Sequence, residues 1–260
     1  MKLKSKLLLA ALATSSAAFA QTAPAAAESA IAYNVGVVSE YRYRGLAQTK
    51  GDPALQGGVD YTGASGFYAG AWASTIKWIK DGAKTAGETK GPVELDIYGG
   101  YKFEAAGLGF DVGYLRYEYL NNTLQNSTKN GAGKTYTNAN TDEVYGAVTY
   151  GVATLKYSRS LSNLFGAIDS KGSTYWDLSA TFDLGNGYSF VPHAGRQTVK
   201  NNTTSYTDVA LTLNKDLGNG LSASLSAIST NGKGKSDFAS YLTNYDTAKN
   251  TVVAGLKYSF

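Results

Sequence analysis

The sequence predicts an all-β fold: a transmembrane antiparallel up-and-down β-barrel of about 12 strands, with short periplasmic turns and long extracellular loops. Three observations carry that expectation. The chain ends on a strand pattern in which Val252, Ala254, Leu256, Tyr258 and Phe260 alternate with Val253, Gly255, Lys257 and Ser259, leaving one face apolar to the terminus. Successive side chains of a strand point to opposite faces, so a period of two marks a strand with one apolar side. The chain opens on an export signal, and its connections alternate short with long. The terminal pattern alone suits a soluble sandwich equally well; the other two observations move it to a membrane.

Met1 to Ala20 has the three parts of a secretory signal: Lys2, Lys4 and Lys6, then apolar Leu7 to Ala13, then Ala18-Phe19-Ala20 as a small-x-small cleavage site. The mature chain is expected to begin at Gln21. Residues 21–30 read as a flexible, Ala-rich periplasmic segment and 31–260 as the barrel. No later stretch reaches the roughly 18 apolar residues that a membrane helix needs, so a spanning chain must cross with strands. The 260 residues carry 24 Lys and Arg against 20 Asp and Glu. Removing the three lysines of the signal leaves the mature chain close to neutral, which implies no nucleic-acid partner. Thirty Gly, 20 Tyr and only 4 Pro favour strands and turns over helices. The absence of Cys excludes disulfides and thiolate chemistry.

The first strand is expected from Ile31, with Ile31, Tyr33, Val35, Val37, Tyr41 and Tyr43 on one face and Asn34, Gly36, Glu40, Arg42 and Arg44 on the other. Comparable segments follow near 54–62, 66–75, 93–102, 108–119, 142–150, 152–159, 174–183, 188–197, 205–214, 221–230 and 250–260. In the segment from Leu108 the apolar phase shifts after Tyr114, which predicts a bulge near Tyr114-Leu115. Short connections fall at 62–65, 103–107, 151, 184–187 and 217–220; long ones at 46–53, 76–92, 120–141, 160–173, 198–204 and 231–249. Asp183-Leu184-Gly185-Asn186-Gly187 and Asp216-Leu217-Gly218-Asn219-Gly220 repeat a turn in which Asn-Gly accepts the positive φ of a tight hairpin. Aromatics fall near both strand ends, as a membrane barrel requires. Tyr41, Tyr43, Tyr117, Tyr119, Tyr157 and Trp176 are expected at the outer ends; Tyr33, Tyr61, Phe67, Tyr101, Tyr150, Phe182, Tyr188, Tyr258 and Phe260 at the periplasmic ends.

The candidate functional set is the charge on the phase facing away from lipid. Glu40, Arg42, Arg44, Lys102, Lys156 and Lys257 stand against Asp60, Glu94, Asp96, Asp111, Asp177 and Asp208, and His193 joins them. Opposed charges along a pore set the field that selects ions; the same charges can also close a pore by pairing. His193 is the only histidine, so a hydrolytic triad would have to use it, with Asp177 or Asp208 on neighbouring strands within reach. A hydrated polar network is the simpler reading. Asp142 and Glu143 read as loop carboxylates able to attract divalent cations near lipopolysaccharide. The loop lysines, Lys50, Lys77, Lys80, Lys84, Lys90, Lys129, Lys134, Lys171, Lys200, Lys233 and Lys235, read first as ordinary solvated loop charge and second as groups that could meet lipid phosphates. Gly131-Ala132-Gly133-Lys134-Thr135 and Gly232-Lys233-Gly234-Lys235-Ser236 imitate a phosphate-binding loop but lack its first glycine and its strand-to-helix setting. One His and no Cys leave no transition-metal ligand set, and no cofactor is expected.

Val38-Ser39-Glu40-Tyr41-Arg42-Tyr43-Arg44-Gly45-Leu46-Ala47-Gln48-Thr49, then Trp72-Ala73-Ser74, then Glu94-Leu95-Asp96-Ile97-Tyr98-Gly99-Gly100-Tyr101 resemble the TorF family of proteobacterial porins. Glu40 stands where that family usually has Asp, and the loops around 121–140 and 231–249 are unusually long. The resemblance implies a channel in the cell outer membrane. The expected function is passive diffusion of small hydrophilic solutes or ions through the barrel, with no enzymatic activity. The alternatives are a lipid-modifying barrel enzyme centred on His193 and a closed structural or adhesive barrel. Expected partners are outer-membrane lipids and lipopolysaccharide, the solutes, and the barrel-assembly machinery, whose recognition signal the ending Tyr258 and Phe260 resembles.

Overall fold

The computed structural model describes residues 30–83, 90–126, 136–202, 205–232 and 245–260. The expected signal and lead-in, the 131–135 stretch and residues 233–236 lie outside them. The described strands are β1 (Ala30–Val38), β2 (Ala54–Thr62), β3 (Phe67–Thr75), β4 (Val93–Ala105), β5 (Leu108–Tyr119) and β6 (Thr141–Tyr150). They continue as β7 (Ala153–Ser160), β8 (Thr174–Ala180, resumed at Phe182–Gly185), β9 (Tyr188–Thr198), β10 (Tyr206–Gly218), β11 (Leu221–Thr230) and β12 (Thr251–Ser259). Each pairs antiparallel with the next, and β12 pairs with β1, so the sheet closes into a 12-stranded barrel. Closure leaves no open edge, which a sheet in hydrocarbon could not tolerate.

The period of two sorts the side chains as expected. On β1, Ile31, Tyr33, Val35 and Val37 are exposed to the outside; on β12, Val252, Leu256, Tyr258 and Phe260 are. These exposed apolar groups are the lipid face of the barrel. The nine aromatics assigned to the periplasmic ends all lie on it, and several pack together: Phe260 stacks on Tyr33 at 5.8 Å and on Tyr258 at 5.5 Å, and Phe67 lies tilted against Tyr101 at 4.7 Å. Both Asn-Gly turns are present, with φ of 51° and 77° at Asn186-Gly187 and 52° and 81° at Asn219-Gly220.

On the inner face, tyrosines and glycines sit opposite each other across the ladder: Tyr98 against Gly70, Tyr68 against Gly100, Tyr145 against Gly113. A Cβ at Gly70 or Gly113 would come within 2.5 Å of the facing ring. The missing side chain lets each ring lie against the wall, and the ring in turn covers backbone that glycine leaves bare.

Three expectations are corrected. First, β1 ends at Val38, and residues 39–53 form a loop that carries its own small hairpin, Arg42–Tyr43 with Leu46–Ala47. Arg44 and Gly45 form its two-residue turn with φ of 45° and 79°, the conformation that twists compatibly with a tight hairpin. Glu40, Arg42 and Arg44 therefore belong to a loop and not to a strand face. The alternation misled because this hairpin is also extended chain. Secondly, β5 holds register with both neighbours throughout, without a bulge. Its inner row is Leu115, Tyr117 and Tyr119, all buried, while Arg116 and Glu118 point outward. The apparent shift arises because the surroundings change along the strand: outward charges are at home near the extracellular rim. Thirdly, Tyr41, Tyr43, Tyr117 and Tyr119 are buried inside rather than placed in the outer girdle, where Trp176 is exposed and Tyr157 packs beside it at 4.6 Å.

Those four tyrosines form an internal core at the extracellular half. Ile76, Trp78 and Ile79 from the second long loop, with its helix α1 (Trp78–Ala83), join them, as do Leu124, Tyr136 and Ala139 from the third. Phe165 of the fourth loop packs edge-on against Tyr43 and Tyr117 at 5.4 and 5.2 Å. The loops are thus held by the same apolar burial that builds a soluble core.

Candidate functional site: the barrel interior and its inserted loop

The hairpin of the first loop reaches across the interior and is held at several points of the wall. The Arg44 guanidinium donates from Nη1 and Nη2 to the two oxygens of Glu143 on β6, at 3.0 and 2.7 Å, and from Nη1 to Gln197 Oε1 on β9 at 2.8 Å. It also lies 4.3 Å from the ring centre of Tyr175 on β8. A planar donor fork matched to both carboxylate oxygens fixes orientation as well as position. The Tyr41 hydroxyl donates to Glu94 Oε1 on β4 at 2.6 Å, and the Tyr43 and Tyr117 hydroxyls are 2.8 Å apart. Burial, then the Glu94 and Asp96 carboxylates, push the Tyr41 phenol well above its ordinary range, so it remains a donor at neutral pH. Arg42 donates to Glu40 at 2.8 Å and to the carbonyls of Gly45 and Thr247 at 3.1 and 2.7 Å. Gly45 packs so closely on Asp208 of β10 that a Cβ would stand 2.6 Å from the Asp208 Cβ. Sequence chemistry at this turn thus meets a steric limit as well as a conformational one.

A second group joins three adjacent strands beside the hairpin tip. His193 Nε2 lies 3.1 Å from Asp177 Oδ2, and Nδ1 lies 3.5 Å from Asp208 Oδ2. The Tyr175 hydroxyl donates to Asp208 Oδ1 at 3.0 Å and is 3.3 Å from His193 Nε2. Both ring nitrogens face carboxylates, and the hydroxyl in the group is a phenol. That is the arrangement of a polar network.

Below the hairpin, toward the periplasm, charges and tyrosines alternate. Tyr98 donates to Asp60 at 2.5 Å and Tyr68 to Asp111 at 2.6 Å. Lys156 lies 3.9 Å from the Tyr145 ring centre and Lys102 lies 4.9 Å from that of Tyr68, as cations over aromatic faces do. Lys257 sits on β12 between Gly36 of β1 and Ser222 of β11. Asp96 is buried near Glu94 with Oδ1 lacking a hydrogen-bond partner. The inward charges therefore fall into two groups that meet at Lys156: Arg44, Glu94, Asp96, Glu143, Asp177, His193 and Asp208 lie around the inserted loop, Asp60, Lys102, Asp111 and Lys257 lie farther toward the periplasm, and Lys156 stands opposite Asp177 across the ladder. Glu40 and Arg42 mainly bond one another and loop carbonyls. Tyr258 and Phe260 lie on the lipid side, where Phe260 exchanges both backbone hydrogen bonds with Tyr33, at 2.8 and 3.0 Å.

The reading of Asp142 and Glu143 as loop carboxylates for cations is corrected. Both lie on β6; Glu143 is buried against Arg44, and Asp142 accepts from Arg116 at 3.0 Å on the outside. Among the described residues no group of three His, Asp or Glu could hold a metal ion. Glu143, Gln197 and Tyr175 are the side chains holding Arg44 that the sequence reading missed. The alternation of Glu143, Tyr145 and Ala147 against Asp142, Val144 and Gly146 is the signal that could have placed Glu143 inside.

A family described as "bacterial protein of unknown function (Gcw_chp)" matches residues 22–260. The chain belongs to the Gcw_chp family. No curated protein sequence matches this Gcw_chp chain. Among solved structures, the KdgM porin in complex with disordered oligogalacturonate is similar at a TM-score of 0.54 and 9% identity, covering 89% of this chain and 99% of that one. A second KdgM porin structure gives 0.51 and 8% over the same shares. At such identities the shared feature is the fold, a 12-stranded barrel of the porin kind.

Proposed function

We propose that this Gcw_chp protein is an outer-membrane channel for small hydrophilic solutes, in which the inserted first loop narrows the path. The observation that carries the reading is a closed barrel with an apolar outer face and a charged inner one that includes Asp60, Lys102, Asp111, Lys156 and Lys257. Lining a barrel with charge serves water and ions and would be costly in a dry interior. The export pattern of residues 1–20, the porin fold, and the resemblance of 38–101 to TorF family porins all support the same reading. In planar bilayers the purified protein is expected to conduct, with conductance falling for solutes of graded size. Silence at every voltage would overturn the channel. It would favour the closed barrel, to which one observation speaks directly: side chains from the first four long loops share one packed core. His193, held between two carboxylates and a phenol, is read as a scaffold for the loop and not as a general base.

A further inference from the structure

The outer face of β7, β8 and β9 at the extracellular rim carries a second feature, separate from the interior. Three rows lie one above another. The lowest is aliphatic: Leu155, Leu178, Ala194 and Val209 are cross-strand neighbours facing outward. Above it, Tyr157, Trp176 and Arg196 are neighbours in the same order, with Trp176 exposed. Above that stands Arg159, exposed at the end of β7. Lys171 and Lys200 project from the adjoining loops, and Arg159 and Lys200 flank Gly172, at 3.5 and 3.7 Å from where its Cβ would stand.

Arginines elsewhere on this rim show what is unusual. Arg116, the outward arginine of β5, is paired with Glu118 at 2.7 Å and Asp142 at 3.0 Å. Among the described residues Arg159, Arg196, Lys171 and Lys200 form no ion pair, and Asp169, the acid of the same loop, forms none with them. Among the described residues the Arg196 side chain bonds the neutral Thr207 hydroxyl, at 3.2 Å. A basic cluster beside and above an aromatic pair, itself above an aliphatic wall, has the charge and polarity order of a lipid seen from the side.

We propose that this face binds a phosphorylated glycolipid of the outer leaflet. The phosphates are held by Arg159, Arg196 and Lys200, the sugar lies at Trp176 and Tyr157, and the acyl chains run along Leu155 and Leu178. The site rests on the outer-membrane part of the proposed function and not on conduction. Arginine forks suit phosphate oxygens in particular.

Native mass spectrometry of the detergent-purified full barrel, titrated with bisphosphorylated lipid A and with its dephosphorylated form, tests this. Binding is expected to depend on the phosphates and to weaken by about fivefold for each of Arg159→Gln, Arg196→Gln and Lys200→Gln, and on the order of a hundredfold for the three together. Arg116→Gln serves as the neutralised-rim control and should change little. Equal binding of the dephosphorylated lipid, or unchanged binding in the triple variant, overturns the site; the single variants decide it should the triple one fail to fold. Absent conductance with phosphate-dependent binding intact supports the site and overturns only the channel.

Discussion

Arg44 shows how one side chain can position a loop. Its guanidinium is buried and satisfied by Glu143 and Gln197, which come from strands on different parts of the wall. Removing one partner of a buried ion pair strands the other charge and costs about 3–5 kcal/mol, whereas replacing both by apolar groups is close to neutral. Arg44→Met is therefore expected to free the loop and expose Arg42 to trypsin, and Arg44→Met with Glu143→Met to restore protection. If Arg42 in the single variant stays as resistant as in the unaltered protein, the ion pair is not what holds the loop. The pair was half legible in the sequence. Arg44 stood out as an inward charge, but Glu143 was read with Asp142 as a loop carboxylate, and the alternation that turns it inward counts only if residues 142–147 belong to a strand. Phase decides that, and phase is fixed only once the strand's start at Thr141 is known.

At the scale of the element, strands were legible wherever the surroundings stay uniform along their length. β1 and β12 lie in lipid on one side and a polar interior on the other, so apolar and polar residues alternate cleanly. The reading failed at the extracellular ends. There β5 turns charges outward above the lipid, and the first loop turns aromatics inward, which inverts the usual rule. An extended hairpin inside the barrel has the same period as a strand in its wall, so residues 39–47 could not be distinguished by periodicity. The terminal strand gives a cleaner test. Deleting Phe260 removes two backbone bonds to Tyr33 and a ring stacked on Tyr33 and Tyr258. Membrane insertion is expected to drop several-fold, measured as the heat-modifiable folded fraction, while barrels that do insert should conduct normally. Normal insertion with altered conductance would place Phe260 in the pathway instead of the seam.

Across the whole molecule, inward charge comes from two sources, the inserted loop and the wall. Around the inserted loop the two arginines are neutralised in place, Arg42 by Glu40 and Arg44 by Glu143. The wall's own cations are three lysines, Lys102, Lys156 and Lys257, with Lys102 opposite Asp111 and Lys156 opposite Asp177 across the ladder. Selectivity is therefore expected to reside in the lysines: replacing all three by Gln should raise the cation-to-anion permeability ratio roughly fivefold, the effect of a field change of about 1 kcal/mol. Reversal potentials across a salt gradient measure it, and a ratio that does not move would remove these lysines from the path. The fold as a whole was legible because length, alternating loops and a closing aromatic strand are global properties. The inserted loop was not, because it depends on which partners the closed barrel brings together. The seam itself has a kinetic consequence. Tyr33 and Phe260 stand at opposite ends of the chain, so their bonds are the ones whose loop closure is entropically most demanding. Closure can only follow the pairing of the strands between them, and until then the partly folded barrel exposes two unpaired edges, the state most open to aggregation and to proteases.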